Sequence, residues 1–202
     1  MITHSFIDIP IQQTTYKGSS LMLFKEVDST NNLAYRYANN TSIDDLLASK
    51  NGFVFISEKQ TQGKGQFDRT WLSEPGGLYY TLLFKNPYDF KLSKRPYCEG
   101  VGKIASYVTY LQTEVSTTFQ LPNDIYHGHF KIGGVLIEEK QIHQTPFVIV
   151  GIGINLNQQA FPKILKHQAT SCFLLKNKQF SKTAFIKQLT DHLIEAFNKD
   201  SW

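Results

Sequence analysis

The sequence contains few cysteines and no long hydrophobic run, and these two shortages exclude several classes of protein. Only Cys98 and Cys172 occur in 202 residues. The disulfide framework of a small secreted domain is therefore not expected, and we expect a reduced, cytoplasmic protein. No apolar stretch approaches the roughly 20 residues of a membrane-spanning helix, and the first ten residues lack the pattern of a signal peptide. We therefore expect no membrane partner.

An excess of charge of one sign is also lacking. The chain has 21 lysines and arginines against 17 acidic residues, which gives a formal net charge of +4. Dedicated nucleic-acid binders concentrate basic residues on one face, so we expect no nucleic-acid partner. A slightly basic chain suits acidic small ligands or an acidic protein partner. The length fits one globular domain, which we assign to residues 1–202.

The apolar periodicity predicts more strands than helices. Helical spacing follows an N-capping run at 28–31, and it recurs at 93–114 and at about 181–199. We expect the last two strands to form a hairpin across residues 140–146. These elements favour an α+β fold, with a mixed sheet and helices packed on one face. The predicted strands are residues 21–27, 53–56, 78–84, 117–121, 131–140 and 147–156.

Polar and glycine-rich segments lie between these elements. Lys131 stands at the mouth of a predicted strand, and Gly133 and Gly134 follow it. Glycine has no Cβ, so a ligand can approach closely, and such a lysine suits an anionic substrate. The loop at 60–71 has alternating glycines whose N–H groups can surround an anion, although this composition is also typical of a surface loop. The run at 151–157 leaves one strand face bare, on which a flat ring or a helix can lie.

Two further polar runs have both a structural and a ligand-binding interpretation. The sequence Asp-Ser-Thr-Asn at 28–31 is typical of a helix cap, and the free N–H groups at such a terminus also bind polar or anionic ligands. Asn123 and Asp124 are typical of a turn, and they also suit a metal ion or a nucleotide. Each of these patterns is ambiguous by itself.

In their order and identity, the segments together resemble the biotin protein ligase family, which attaches biotin to a carboxylase subunit. The resemblance covers about residues 21–175. The segments that carry it are residues 28–31, 60–71, 122–124, 131–138 and 151–157, with a weaker segment at 169–171.

The resemblance implies a fold, a reaction and a set of site residues. The fold is a class II synthetase-like catalytic domain with a largely antiparallel sheet. Biotin and ATP, with Mg²⁺, give biotinyl-5'-AMP and pyrophosphate, and the adenylate then modifies one lysine of a biotin carboxyl carrier protein. Lys131 is implied as the catalytic residue and Asp124 as a metal ligand. The implied biotin-binding residues are Ser29, Thr30, Asn31, Gln60, Gly63, Lys64, Gly65, Gln66, Trp71, Lys131, Gly133 and Gly134. The implied nucleotide-binding residues are Arg69, Asn123, Asp124, Lys131 and Asn155.

The chemistry of these residue types agrees with the implied roles. The ureido group of biotin is neutral, and hydroxyl and amide side chains supply donors and acceptors to it without a buried charge. Joining a carboxylate to a phosphate brings like charges together, and the ammonium group of Lys131 offsets that repulsion. No covalent enzyme intermediate is required, and the motifs contain no Ser/His/Asp or Cys/His arrangement.

The loop departs from the family pattern. Lys64 and Gln66 replace two arginines, and Asp68 replaces a glycine. A lysine cannot make the two-pronged contact of a guanidinium group. We therefore expect the adenylate to be held less tightly than by a member with the full loop. Gln120 and Leu121 replace the usual Lys-Trp pair, which affects contacts with ATP.

Alternatives remain open at this point. The chain ends at Trp202, so we expect a minimal form without the small C-terminal barrel and without the DNA-binding domain of some relatives. A monomer and a homodimer are both compatible with the sequence. A lipoate or octanoate ligase or transferase shares the fold, and Cys172 is the candidate nucleophile for a transferase, although we interpret it as a buried apolar residue. A non-catalytic biotin-binding relative is a further alternative.

Overall fold

One sheet forms the frame of the molecule. A computed structural model describes residues 9–86 and 95–199, and within these residues it contains one eight-stranded sheet and five α-helices. The strands are β1 (Gln12–Tyr16), β2 (Ser19–Phe24), β3 (Phe53–Ser57), β4 (Leu78–Lys85), β5 (Thr118–Gln120), β6 (Asp124–His127), β7 (Phe130–Ile142) and β8 (Thr145–Ile154). The helices are α1 (Thr30–Asn40), α2 (Ile43–Ala48), α3 (Arg95–Thr113), α4 (Cys172–Lys176) and α5 (Lys182–Lys199).

The strand order is β1-β2-β3-β4-β8-β7-β6-β5. Within the described residues β2 and β3 are parallel, and every other neighbouring pair is antiparallel. The predicted mixed α+β fold is therefore confirmed. The hairpin expected across residues 140–146 is also confirmed, because β7 and β8 are joined by His143 and Gln144. Both residues have positive φ, 49° and 62°, as a two-residue turn between twisted strands requires.

The prediction that helices pack on one face of the sheet is wrong in this detail, because helices cover both faces. Side chains alternate along β3, so Val54 and Ile56 join the core cluster under α3 and α5. Phe53 and Phe55 point the other way and pack in the cluster under α1 and α2. Every residue of β3 is buried. A short continuous apolar run of this kind is typical of a strand that is covered on both faces.

The elements that the sequence analysis missed are short or polar, and they are β1, α2, β6 and α4. β1 has the sequence Gln-Gln-Thr-Thr-Tyr and is largely exposed at one edge of the sheet, so it lacks an apolar alternation. α2 has six residues and buries Leu46, too little for a recognisable stripe. Their structure follows from pairing and packing rather than from a local pattern.

The long helices lie close to where periodicity predicts them. α3 was expected over residues 93–114 and is Arg95–Thr113, and residues 93 and 94 lie outside the described part of the chain. α5 begins at Lys182, one residue after the expected start. Among the described residues, none of the helices combines the length and the apolar character needed to cross a bilayer.

Candidate active site

A cavity lies on the α1 side of the sheet, where most of the predicted site residues meet. The N-terminus of α1, the loop at 60–71, the start of β6 and the facing strands β7 and β8 form its walls. The predicted residues that line it are Ser29, Thr30, Asn31, Gln60, Lys64, Gly65, Gln66, Arg69, Trp71, Asn123, Asp124, Lys131 and Gly134. Segments more than 100 residues apart in the chain therefore contribute to one cavity.

The N-terminus of α1 is held by an ion pair behind the cavity. Asp28 accepts hydrogen bonds from Arg36 at 2.8 and 2.9 Å and from Asn32 at 2.9 Å. Burial alone would raise the pKa of Asp28, but the bonds from Arg36, Asn32 and the Ser29 N–H outweigh it, and the pKa lies below its ordinary value. An ionised Asp28 thus fixes the start of the helix.

Ser29 is the N-cap of α1 but does not cap with its side chain. Its carbonyl accepts from the Leu33 N–H at 2.8 Å, while its hydroxyl makes no capping hydrogen bond. Ser29 is buried and lines the cavity. The helix therefore begins where the sequence predicted, but without a side-chain cap, and the hydroxyl lies where a ligand can reach it.

Gln60 is locked against the same helix terminus. Its Oε1 accepts from the N–H of Thr30 at 2.8 Å and from the Thr30 hydroxyl at 3.1 Å. Its Nε2 donates to Ser73 Oγ at 2.7 Å, and Ser73 in turn donates to the carbonyl of Trp71. These bonds fix which end of the Gln60 amide is the oxygen.

The loop at 60–71 is folded back on itself. The Trp71 N–H donates to the Gly63 carbonyl at 2.8 Å, and the Gly65 N–H donates to the Arg69 carbonyl at 2.7 Å. The Gly65 N–H is thus satisfied inside the loop and is not free to bind an anion. Gly63 does not line the cavity. One hydrogen of its Cα faces Ser73 Oγ and the Trp71 carbonyl, which a Cβ at this position would overlap. At the tip, Phe67 is 78% exposed with a φ of 56°.

The indole of Trp71 lies on the bare strand face that the sequence predicts. Gly134 and Gly153 are paired across β7 and β8. A Cβ on Gly153 would lie 2.6 Å from Trp71 Nε1, and one on Gly134 would lie 3.5 Å from Trp71 Cζ3. Two residues before Gly153, Gly151 makes room for Asn31 of α1. The expectation that a flat ring or a helix lies on residues 151–157 is confirmed for both.

Lys131 and Asp124 form an ion pair in the cavity, beside the indole. Lys131 Nζ lies 2.6 Å from Asp124 Oδ1 and 5.2 Å from the centre of the Trp71 ring. Hydrogen bonds tie the Lys131 backbone to Gln168 and Thr170, next to the weaker family segment at 169–171. The Lys131 side chain is 30% exposed and lines the cavity.

Gly133 and Asn155, like Gly63, were predicted as site residues but do not line the cavity, whereas Asn123 does. Gly133 faces the core, because a Cβ there would lie 2.6 Å from Ile154 Cδ1. Asn155 is buried away from the cavity, and its Oδ1 accepts from Gln158 at 3.2 Å. Asn123 lines the cavity while its Nδ2 donates to the Val135 carbonyl at 3.3 Å. The role of Asn155 in nucleotide binding stays a prediction.

Apart from Asp124 Oδ1, which is paired with Lys131, two buried polar atoms among the cavity-lining residues have no hydrogen-bond partner. These are the donor Nε1 of Trp71 and the acceptor Oε1 of Gln66. A buried polar group without a partner costs about 1–3 kcal/mol, so a polar ligand that satisfied these atoms would gain affinity. The cavity thus offers both a donor and an acceptor to a ligand.

Sequence reasoning missed three polar residues that surround the site. Ser73 holds the Gln60 amide, and Thr81 and Glu138 contact Asn31. Thr81 carries a recognisable signal, because it is a hydroxyl residue inside the apolar run of β4. Ser73 and Glu138 have no comparable signal, since their roles depend on which residues the fold brings opposite them.

The fold is a mixed, largely antiparallel α+β sheet that carries this cavity on its α1 side, and it matches a known protein family. The chain belongs to the Biotin/lipoate A/B protein ligase family, whose sequence profile matches residues 23–155. The chain is similar to the bifunctional ligase/repressor BirA of Bacillus spizizenii, with 30% identity over 192 residues, covering 93% of this chain and 55% of the relative. It is also similar to the biotin–[acetyl-CoA-carboxylase] ligase of Mycobacterium tuberculosis, with 27% identity over 151 residues, covering 72% and 52%.

Solved structures show the same similarity. The biotin protein ligase from Aquifex aeolicus in complex with biotin and ATP superposes with a TM-score of 0.74 and 31% identity, covering 89% of this chain and 70% of that one. The chain spans about half the length of the curated relatives it matches.

Proposed function

We propose that this domain is an ATP-dependent ligase that activates biotin to biotinyl-5'-AMP and transfers the biotin to a lysine of a biotin carboxyl carrier protein. The observation that carries the proposal is the composition of the cavity. Neutral hydrogen-bonding groups from Ser29 and Gln60 share it with the ammonium group of Lys131. The similar ligase from Aquifex aeolicus was solved with biotin and ATP.

The neutral part of the cavity suits the ureido ring of biotin. A urea needs donors for its oxygen and acceptors for its two N–H groups. Gln60 and Ser29 supply such groups without placing a charge against an apolar ring. The indole of Trp71 and the glycine floor of β7 and β8 supply the flat apolar surface beside them.

Lys131 would assist the first step. A carboxylate oxygen of biotin attacks the α-phosphorus of ATP, the bond to the bridging oxygen breaks, and pyrophosphate leaves with its electron pair. Negative charge increases on the α-phosphoryl oxygens during this step. An ammonium group already positioned beside them lowers the barrier, because it needs no reorganisation when the charge develops.

The transfer step needs no nucleophile from the protein. The amine of a carrier lysine attacks the acyl carbon, AMP leaves, and the amine loses a proton to solvent. The state of both cysteines agrees with this mechanism. Burial raises the pKa of the Cys98 and Cys172 thiols to about 11, so neither thiol forms the thiolate that a nucleophile needs. Cys172 is fully buried in the core, which disfavours the octanoyltransferase alternative.

Asp124 would hold Mg²⁺ together with the phosphates of ATP. Mg²⁺ is usually bound by one or two carboxylates plus phosphate oxygens and water. Asp124 lines the cavity, and the described residues contain no cluster of three or more His, Cys, Asp or Glu side chains. This donor set fits a nucleotide-bound ion rather than a cage built by the protein. Bound Mg²⁺ would neutralise phosphate charge.

The acceptor and the compartment belong to the same proposal. A relative from Mycobacterium tuberculosis carries the name biotin–[acetyl-CoA-carboxylase] ligase. We therefore propose the carrier subunit of acetyl-CoA carboxylase as the acceptor. We also propose a cytoplasmic location, with which the use of ATP is consistent.

The experiment is a two-stage assay with the purified protein. In the first stage, the protein is mixed with labelled ATP and either biotin, lipoate or no acid, and pyrophosphate release is measured. The proposal predicts release only with biotin. In the second stage, a carrier domain and its Lys→Arg variant are added, and biotin should appear only on the unaltered carrier. Release with lipoate instead of biotin, or binding of biotin without pyrophosphate release, would contradict the proposal.

A further inference from the structure

Thr81 is a buried hydroxyl residue directly beneath the cavity. It is 0% exposed in the middle of β4 and does not line the cavity itself. Its Oγ1 lies 2.7 Å from Asn31 Oδ1 and 2.8 Å from Thr30 Oγ1. Thr81 therefore contacts two cavity-lining residues from behind.

Glu138 holds the other end of the Asn31 amide. Its Oε2 accepts from Asn31 Nδ2 at 2.9 Å, and the Leu136 carbonyl lies 3.4 Å from the same nitrogen. A carboxylate and a carbonyl can only accept, so the nitrogen of Asn31 must face them. The oxygen of Asn31 consequently faces Thr81, which must donate to it.

The direction of each hydrogen bond then follows up to Gln60. The Thr30 hydroxyl lies 3.1 Å from Gln60 Oε1, and because an amide oxygen can only accept, the hydroxyl donates to it. Thr81 has one proton, which its hydroxyl shares between the oxygens of Asn31 and Thr30. Reversing the Asn31 amide would place an N–H group against Thr81 and the amide oxygen against the carboxylate of Glu138, which cannot donate to it.

This series of hydrogen bonds, from Asn31 through Thr81 and Thr30 to Gln60, determines which atoms of the Gln60 amide face a ligand. Its oxygen is occupied by Thr30, so its amide nitrogen points toward Ser73 and the cavity. One N–H of Gln60 Nε2 donates to Ser73 Oγ. Within the part of the chain that the structure describes, the second N–H of Nε2 donates to no protein acceptor. Gln60 is thereby fixed as a donor, which suits the oxygen of a neutral urea.

We propose that Thr81 and Glu138 are positioning residues that orient Asn31, Thr30 and the Gln60 amide, and so determine the affinity for the urea ring of the substrate. This inference rests on the proposed function, since biotin is the urea considered. Neither residue lines the cavity. Glu138 acts through the Asn31 side chain, and Thr81 acts through both Asn31 and Thr30.

The test compares Thr81→Val with Thr81→Ser. Valine keeps the shape of threonine but cannot donate, whereas serine keeps the hydroxyl. We expect the valine variant to bind biotin about tenfold more weakly, or about 1.4 kcal/mol, with kcat and the KM for ATP within about twofold of wild type. The serine variant should restore most of the affinity. Biotin binding is measured by calorimetry, and KM values by pyrophosphate release.

A second pair of variants tests Glu138 on the same strand. Glu138→Gln has an amide that can donate as well as accept, so it permits Asn31 to flip, and we expect weaker biotin binding. Lys140→Gln removes the 3.4 Å ion pair to Glu138 but keeps the bond to Asn31, and we expect wild-type affinity.

The outcomes separate the inference from the proposed function. Equal biotin affinity of the valine and serine variants, or an equal rise in the KM for ATP, would overturn the inference. Wild-type protein that binds biotin without releasing pyrophosphate would overturn the proposed function, while the binding data still decide the inference. Wild-type protein that does not bind biotin would overturn both.

Discussion

Replacing Lys131 by alanine should slow adenylate formation by about 10²–10³-fold, or roughly 3–4 kcal/mol. The size of this rate loss follows from the position of the Lys131 ammonium group. A unit charge 4 Å from a developing charge contributes about 4 kcal/mol at an effective dielectric constant of 20. Lys131 is about 30% exposed and is paired with Asp124 at 2.6 Å. Hydration and this pairing both reduce the benefit, so we expect the lower end of the range.

The assay measures biotin-dependent pyrophosphate release in a single turnover, together with the affinity for biotin. Lys131→Arg keeps the charge and should retain part of the rate, although its planar fork does not reproduce a point charge. Lys103→Ala is the matched control, because Lys103 is 67% exposed on α3 and pairs with Glu99. It should leave the rate unchanged.

Loss of the amine also leaves Asp124 without its partner, so thermal unfolding of each variant must be measured. If Lys131→Ala folds like the wild type and forms the adenylate within about threefold of its rate, the role assigned to Lys131 is refuted. If Lys131→Ala loses rate and the Lys103 control loses as much, the effect is not local and the reasoning also fails.

Three further predictions concern the loop, the glycine floor and the ion pair behind the cavity. Gln66→Arg should slow adenylate release by about tenfold or more, since a charge-assisted hydrogen bond contributes about 1.5–3 kcal/mol, and equal release rates in a filter-retention assay would contradict this. Gly153→Ala should weaken biotin binding more than Gly134→Ala. A methyl group added at Gly153 would lie 2.6 Å from Trp71 Nε1, whereas the atoms nearest to a methyl group added at Gly134 would lie at 3.5 Å. Calorimetry that gives the same biotin affinity for both variants would refute the argument. The folded pKa of Asp28 lies below the value of 3.8 for the free side chain, so the ionised group stabilises the fold fully above that pH and loses its contribution as the pH falls through the folded pKa. The difference in melting temperature between wild type and Asp28→Asn should therefore shrink below about pH 4, and a constant difference from pH 6 to pH 3 would argue against it.

The sequence predicted the parts of the fold that have a local pattern. The stripe of α5 and the strands β4 and β8 were found within a few residues, because apolar side chains repeat at the period of the element. β1 was missed because its residues are polar, and an edge strand gains its structure by pairing with β2. Helices on both faces were also missed, although the continuous apolar run of β3 is typical of a strand that is covered on both faces.

The sequence predicted which residues belong to the candidate site better than it predicted how they are arranged. The bare face of residues 151–157 indicated that a ring or a helix lies there, and the structure places Trp71 on Gly153 and Asn31 on Gly151. Gly133 and Gly134 were predicted alike, yet only Gly134 faces the cavity. Adjacent strand residues point to opposite faces, and the register with β8 decides which one does so.

The sequence by itself determined which chemical groups the protein has and in what order they occur along the chain: a helix cap at 28–31, a glycine loop, and a lysine before a strand with two glycines. Only the tertiary structure decided which atoms meet. Asn31 contacts Glu138 across 107 positions of the chain, and Thr81 lies behind both Thr30 and Asn31. The physical reason is that hydrogen-bond direction depends on the partners that strand register and helix packing bring within about 3 Å, and no local pattern of residues carries that information.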